Sequence, residues 1–142
     1  ELAGEVNSHM PDYVISKVGL ALNEHNRSIK DSKILVLGIA YKKNVDDMRE
    51  SPSVEVMDRL HKLGANISYS DPHVLEFPYI SGHHYFDLKS EPLTPETVAK
   101  YDCVVLTTDH DKFDYDMIAE HAKLIVDTRG KFPAKNPKVV KA

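Results

Sequence analysis

From Lys33 onward, short apolar runs alternate with helical segments that carry their own caps, and that order admits few folds. Residues 34–37 form an apolar run ending at Gly38, as expected for a strand buried on both faces. Segment 51–63 reads as a helix with clear punctuation: Ser51 is a natural N-cap, Pro52 suits the first helical position, and Gly64 follows the end. Val54, Met57, Leu60 and Leu63 mark its buried side. Residues 66–69 form the next strand, stopped by the turn pair Asp71-Pro72. The stretch 73–92 has the weakest pattern and offers only a short edge strand at 85–88. A short helix at 94–100, the buried run Cys103-Val104-Val105-Leu106, a helix at 115–121 and a strand at 124–126 complete the alternation.

Such a sequence predicts an α/β fold, a Rossmann-like and mainly parallel sheet with right-handed crossovers, preceded by a long helix. Two parts are expected: residues 1–30 as helix and connector, and 31–142 as the sheet domain. In the first part, Val14, Val18, Ala21 and Leu22 fall at helical spacing after Pro11, a good first-turn residue. Ile15 and Leu20 widen that stripe, and the polar stretch 24–32 reads as helix end and connector. From spacing alone the stripe suits packing on its own domain and packing on a partner subunit or a further domain equally. Ser8-His9-Met10 has the look of an expression-tag scar, yet helix-like sequence on both sides marks it as native. A start at Glu1 rather than Met reads as a piece of a longer chain.

At 142 residues and 42% hydrophobic composition, the chain can bury a core without staples. Cys103 is its single cysteine, so a disulfide-stapled secreted scaffold is excluded. The absence of an apolar run of ~18 residues points to a cytoplasmic protein without membrane contact. A net charge of −4 gives no broad electrostatic footprint for nucleic acid. A small anionic ligand held by a few local cations stays open.

Ligands of open α/β sheets bind beyond the carboxyl ends of the strands, which nominates the loops 38–51, 107–114 and 127–131. The first is longer than an ordinary connection of about 2–6 residues. It has neither a Gly-x-Gly-x-x-Gly fingerprint nor a P-loop. Lys42, Lys43 and Arg49 beside a helix N-terminus suit a phosphate-bearing ligand, while Asp46, Asp47 and Glu50 suit plain charge neutralisation. Spacing does not separate these two. Arg129 stands at a strand's carboxyl end, where its fork can grip phosphate or hydroxyl pairs. His83-His84 and His110 between Asp109 and Asp111 lack structural-zinc spacing, so no metal site is expected. Cys103, inside an apolar strand, reads as an inert buried thiol. No nucleophilic or acid–base constellation stands out. A hydrolase using His110 and the adjacent aspartates would rest on composition alone.

The run from Gly38 to Pro52, with Tyr41-Lys42-Lys43-Asn44-Val45-Asp46-Asp47-Met48-Arg49-Glu50-Ser51-Pro52 at its centre, resembles the hallmark loop of the nucleotide-sugar 6-dehydrogenases, the UDP-glucose/GDP-mannose dehydrogenase family. This form is most similar to the bacterial UDP-N-acetylglucosamine 6-dehydrogenase branch. Leu2-Ala3-Gly4-Glu5-Val6-Asn7 with Met10-Pro11-Asp12-Tyr13-Val14 resembles the start of the family's long central helix. Tyr69-Ser70-Asp71-Pro72, Leu106-Thr107-Thr108-Asp109-His110 and Val126-Asp127-Thr128-Arg129 are similar to later landmarks, in order.

The resemblance implies the central dimerisation helix and the C-terminal UDP-sugar-binding domain of an NAD-dependent enzyme. That enzyme oxidises the C6 hydroxyl of a UDP-sugar, here UDP-N-acetylglucosamine, to a carboxylate for surface polysaccharide synthesis. It implies that Tyr41, Lys42 and Arg129 contact the substrate and that Arg49 reaches NAD held mainly by a domain upstream of Glu1. The family's Gly-x-Gly fingerprint, catalytic cysteine and active-site lysine would lie upstream too, so no catalytic residue is assigned and the 142-residue chain is expected to be inactive alone. Gly130 departs from the asparagine often found after the arginine. A homodimer through helix 11–26 is expected. The alternative is a stand-alone nucleotide-binding α/β module without redox activity.

Overall fold

A computed structural model describes the backbone of residues 2–40, 44, 51–77 and 88–142, and side chains from Pro11 onward within those ranges. Its sheet runs β2-β1-β3-β4-β5, from β1 (Lys33–Leu37), β2 (Asn66–Ser70), β3 (Cys103–Leu106), β4 (Ile125–Asp127) and β5 (Val139–Lys141). Every neighbouring pair is parallel. The expected α/β class, a Rossmann-like mainly parallel sheet, is what the chain adopts.

Strand pleat explains why nearly every position in the central strands is apolar. Alternate side chains point to opposite faces, and both faces are covered. Ile34, Cys103, Val105 and Val126 face a layer formed with α1 (Leu2–Glu24) and α2 (Pro52–Lys62). Leu35, Leu37, Val104, Leu106 and Ile125 face the opposite layer, with Val98 of α3 (Pro95–Ala99) and Ile118 of α4 (Tyr115–His121).

Local chemistry sets the helix ends as read. Ser51 caps α2 with extended backbone and accepts the Ser53 N–H, with Pro52 in the first turn. At its other end, Gly64 has φ 95; its N–H bonds His61 O at 3.0 Å, and the Ala65 N–H bonds Leu60 O at 3.1 Å. That pair of bonds is a Schellman stop, which needs a residue comfortable in the left-handed region. Thr94 and Asp114 cap α3 and α4 by accepting the Thr97 and Met117 N–H groups.

The first helix departs from expectation in two ways. It runs from Leu2, so Pro11 lies inside it rather than in its first turn. The ring deprives one carbonyl of its helical partner, which surrounding helix tolerates at a cost. Its stripe Val14, Val18, Ala21 and Leu22 is also committed to its own domain, packed with Val56 and Leu60 of α2 and the sheet. Val18 and Leu22 are fully buried and thus not available to a partner subunit; among the described side chains of this helix, Tyr13 and Leu20 are the exposed large apolar ones. An Arg59–Asp12 ion pair ties α2 to α1. The short β5 was not foreseen, and residues 85–87 of the suggested edge strand lie outside the described residues. Nearby, Glu76 and Lys89 form an isolated antiparallel bridge.

Candidate functional site

In a sheet ordered 2-1-3-4-5, the strand order reverses between β1 and β3, and the crevice at their carboxyl ends is where ligands of such folds sit. The loops after β1, β3 and β4 meet at this edge. Thr107 Oγ1 donates to Gly38 O, and Thr108 Oγ1 donates to Ala40 O at 2.7 Å. Gly38 has φ 79, and a Cβ there would lie 2.1 Å from Thr108 O, so only glycine permits this close crossing.

Two buried carboxylates organise the edge. Asp71, just past β2, is fully buried; its Oδ2 accepts the Ile39 N–H at 2.8 Å, the Ala40 N–H at 3.2 Å and a bond with His110 Nε2 at 2.8 Å. Its Oδ1 accepts the His73 N–H at 2.8 Å. Burial by itself would raise the Asp71 pKa, but the bonds from His110, Ile39 and His73 favour the charged form and leave it below the ordinary carboxylate value. Asp127 plays the same part at the end of β4. Its Oδ1 accepts the Arg129 and Gly130 N–H groups, each at 2.8 Å, and its Oδ2 accepts the Phe132 N–H at 2.9 Å and faces Lys141 Nζ at 3.4 Å. Each carboxylate thus folds the loop that follows its strand by collecting main-chain donors.

Arg129, the substrate-contact candidate after β4, stands at this edge with its side chain half exposed and its Nε 3.2 Å from Asp109 Oδ1. Lys131 Nζ lies 3.9 Å from Asp109 Oδ2, so two cations share one carboxylate on the rim. An anion arriving here competes for Arg129 with Asp109, a carboxylate that is itself buried. Gly130 has φ 74 and open space where a side chain would stand. Glycine and asparagine are the residues that most readily take that conformation, so the departure from asparagine preserves the backbone shape. Tyr41, Lys42 and Arg49 lie outside the described residues, as do His83 and His84. Between them in sequence, Asn44 is described, and it touches the loop after β3: its N–H bonds His110 Nδ1 at 2.7 Å, and its side-chain amide donates to Asp111 Oδ2 at 2.9 Å.

Sequence reasoning set His110 against its neighbours Asp109 and Asp111. The fold pairs it instead with Asp71, and both ring nitrogens are occupied in a fully buried site. That removes the hydrolase reading. Cys103 is fully buried, and burial followed by the nearby Asp102 charge pushes its thiol up to about 12, so it stays protonated and unreactive. No group of three metal-ligating side chains occurs among the described residues. No described helix is long and apolar enough to cross a membrane.

A dinucleotide does not fit the described part of this edge. The N–H groups that leave β1, on Ile39 and Ala40, are taken by Asp71, and the Ser51 hydroxyl at the start of α2 donates to Ile39 O at 2.7 Å. Donors that would cradle a pyrophosphate in a Gly-x-Gly turn are already used. Among the described residues, the edge presents Arg129 and Lys131 beside Asp109.

Residues 35–134 match the model of the UDP-glucose/GDP-mannose dehydrogenase family, UDP binding domain. The chain is 36% identical over 135 residues to a UDP-N-acetyl-D-mannosamine dehydrogenase of Methanococcus vannielii, covering 89% of this chain and 29% of that protein. It is 34% identical over 139 residues to an NDP-N-acetyl-D-galactosaminuronic acid dehydrogenase of Ralstonia solanacearum, covering 94% of this chain and 30% of that one. The crystal structure of an NDP-N-acetyl-D-galactosaminuronic acid dehydrogenase from Methanosarcina mazei Go1 superposes with a TM-score of 0.77 at 25% identity, over 99% of this chain and 30% of that one. The chain therefore spans under a third of the length of these relatives. It belongs to the UDP-glucose/GDP-mannose dehydrogenase family and carries that family's UDP-binding domain.

Proposed function

We propose that this chain is the substrate-holding part of an NAD-dependent nucleotide-sugar 6-dehydrogenase, and that it grips a UDP-sugar at the carboxyl edge of its sheet. One observation carries the reading: Arg129 and Asn44 stand at the same carboxyl edge, each bonded to the loop after β3. Arg129 would take phosphate or sugar hydroxyls, with Tyr41 and Lys42 contributing from the loop and Arg49 reaching the NAD held elsewhere in the parent. NAD supplies hydride acceptance when bound. This chain's residues bind and orient the sugar nucleotide.

The parent enzyme would oxidise the C6 hydroxyl to a carboxylate in the cytoplasm of a bacterium, feeding surface polysaccharide synthesis. The names of the relatives divide among UDP-N-acetyl-D-mannosamine, NDP-N-acetyl-D-galactosaminuronic acid and UDP-glucose. We take the class to be a UDP-N-acetylhexosamine; the loop's resemblance singles out UDP-N-acetylglucosamine within it. Dimerisation through the first helix would use its outer surface at Tyr13 and Leu20, since Val18 and Leu22 are spent inside. Leu20→Asp should then convert a dimer to a monomer in sedimentation at unchanged fold.

Calorimetric titration tests the central claim. UDP should bind this chain, and Arg129→Ala should weaken it at least ~10-fold while circular dichroism shows the fold retained, because Lys131 Nζ still faces the Asp109 carboxylate at 3.9 Å. Competition among UDP-N-acetylglucosamine, UDP-N-acetylmannosamine and UDP-glucose ranks the sugars. Absence of UDP binding, or equal binding by Arg129→Ala, would overturn the reading.

A further inference from the structure

The loops after β1 and β3 are joined through an imidazole. The two ring nitrogens of His110 serve different partners: Nε2 lies 2.8 Å from Asp71 Oδ2, and Nδ1 lies 2.7 Å from the Asn44 backbone nitrogen. A main-chain N–H can only donate, so Nδ1 offers its lone pair and the ring proton sits on Nε2, aimed at the carboxylate. The neutral ring is therefore a two-ended connector. No other neutral side chain accepts on one side and donates across a rigid ring on the other. An amide carries both functions on a single carbon and cannot span the gap.

Its surroundings hold the connector in place. Asp71 is anchored by the Ile39, Ala40 and His73 N–H groups, so the ring's carboxylate partner does not swing away. The His73 ring lies 4.6 Å and the Phe113 ring 5.5 Å from the His110 ring, fixing its plane. Tyr115 Oη donates to His110 O at 2.7 Å. On the other side Asn44 has φ 64, a left-handed conformation that asparagine tolerates. Its side chain also donates to Asp111 Oδ2 at 2.9 Å and accepts the Asp111 N–H at 3.0 Å.

We propose that His110 is a positioning residue for nucleotide-sugar binding: its neutral ring holds Asn44 against the carboxyl end of β3, beside the Asp109 carboxylate that meets Arg129. The proposal rests on the UDP-sugar reading of this edge. An Asn44 backbone without this partner would lose conformational freedom on meeting the ligand, and that loss would subtract from affinity. Ordering it beforehand moves the loss into folding.

Nitrogen-15 NMR of the imidazoles and amide hydrogen exchange on the 142-residue chain read the connector without ligand, and titration with UDP reads its use. The expected wild-type result is an Nε2–H tautomer for His110 and an Asn44 amide protected at least ~100-fold relative to an open loop. His110→Gln can still donate to Asp71 but places no acceptor at the Nδ1 position. It should lose the Asn44 protection and bind UDP at least ~10-fold more weakly. Asn44→Gly keeps the left-handed backbone and removes two bonds at an exposed residue, so the fold is not at risk; UDP affinity should drop about 3-fold. An Nδ1–H tautomer, or a fast-exchanging Asn44 amide in the wild type, overturns the connector. An unchanged UDP affinity in His110→Gln, or in Asn44→Gly where the first variant does not fold, overturns its positioning role. A wild-type chain with the connector intact and no UDP affinity overturns the functional reading instead, and the positioning role with it.

Discussion

Asparagine at position 71 keeps the shape of the aspartate and removes its charge, which isolates what the carboxylate does. Asp71 is fully buried and accepts from the Ile39, Ala40 and His73 N–H groups and from His110 Nε2. Bonds to an ionised acceptor are worth about 1.5–3 kcal/mol each against about 0.5–1.5 kcal/mol for a neutral one. The amide oxygen of asparagine can keep the three bonds now made to Oδ2, each weakened by ~1 kcal/mol. Its NH2 group then meets the His73 N–H, donor against donor, which adds ~1 kcal/mol. Easier burial of a neutral group returns ~1–2 kcal/mol. The net loss for Asp71→Asn is therefore about 2–3 kcal/mol at neutral pH, a sizeable part of a total stability of about 5–15 kcal/mol. For a chain of this size that lowers the midpoint temperature by ~10 °C.

The pH dependence supplies a second, independent check. The folded-state pKa of Asp71 lies below its unfolded value: burial pushes upward, and the bonds from His110, Ile39 and His73 outweigh it. A depressed carboxylate contributes fully above its unfolded pKa, and the contribution disappears as pH falls through the folded one. The gap between wild type and Asp71→Asn should thus be full at about pH 7 and narrow below about pH 4. Urea unfolding at a series of pH values measures it. A gap under ~0.5 kcal/mol at pH 7, or one that persists unchanged into acid, would refute this account of the edge.

Other substitutions probe the remaining supports. Gly38→Ala places a methyl 2.1 Å from Thr108 O in a left-handed backbone, and should lose at least ~3 kcal/mol in urea unfolding; a loss under ~1 kcal/mol would contradict the tight crossing of the two loops. Val18→Asp puts a charge where no side-chain surface is exposed, so the chain should lose cooperative unfolding by circular dichroism rather than merely change oligomeric state. Folded Val18→Asp monomers would return that residue to a subunit interface. The Cys103 thiol should resist an aromatic disulfide reagent at about pH 8 in the native chain and titrate once denaturant is added, because burial keeps it protonated and enclosed.

Fold elements set by neighbours in sequence were legible; those set by distant partners were not. Ser51-Pro52 and Gly64 announce α2 because capping chemistry acts within a turn of the helix end. The runs at β1 and β3 announce buried strands because both faces are covered, so no polar residue interrupts them. By contrast β5 is three residues long, with Val139 and Val140 only half-buried, and it follows a loop punctuated by Pro133 and Pro137. Nothing local distinguishes it from a tail; its pairing with β4 makes it a strand. Pro11 misled because proline suits a first turn, whereas the helix already runs from Leu2.

The same divide runs through the site. Arg129 was legible because a strand end and a fork-shaped cation stand side by side in sequence, and the fold leaves it on the rim. The Asp71–His110 pair was not, because its members are 39 residues apart and each had a nearer explanation. Asp71 read as a turn residue, which it is, since its Oδ1 accepts the His73 N–H. His110 read with Asp109 and Asp111, although Asp109 turns to Arg129 and Lys131 and Asp111 meets Asn44. A usable signal was nonetheless present. Tyr69-Ser70-Asp71 and Ile125-Val126-Asp127 each place a carboxylate where a parallel strand ends, the point at which main-chain donors leave the sheet without partners. An aspartate there folds the next loop onto itself or onto the neighbouring strand's exit, and both have done so. The residues tied to such a carboxylate are then the place to look for ligand contacts: Arg129 after β4, and Asn44, joined to Asp71 through His110, after β1.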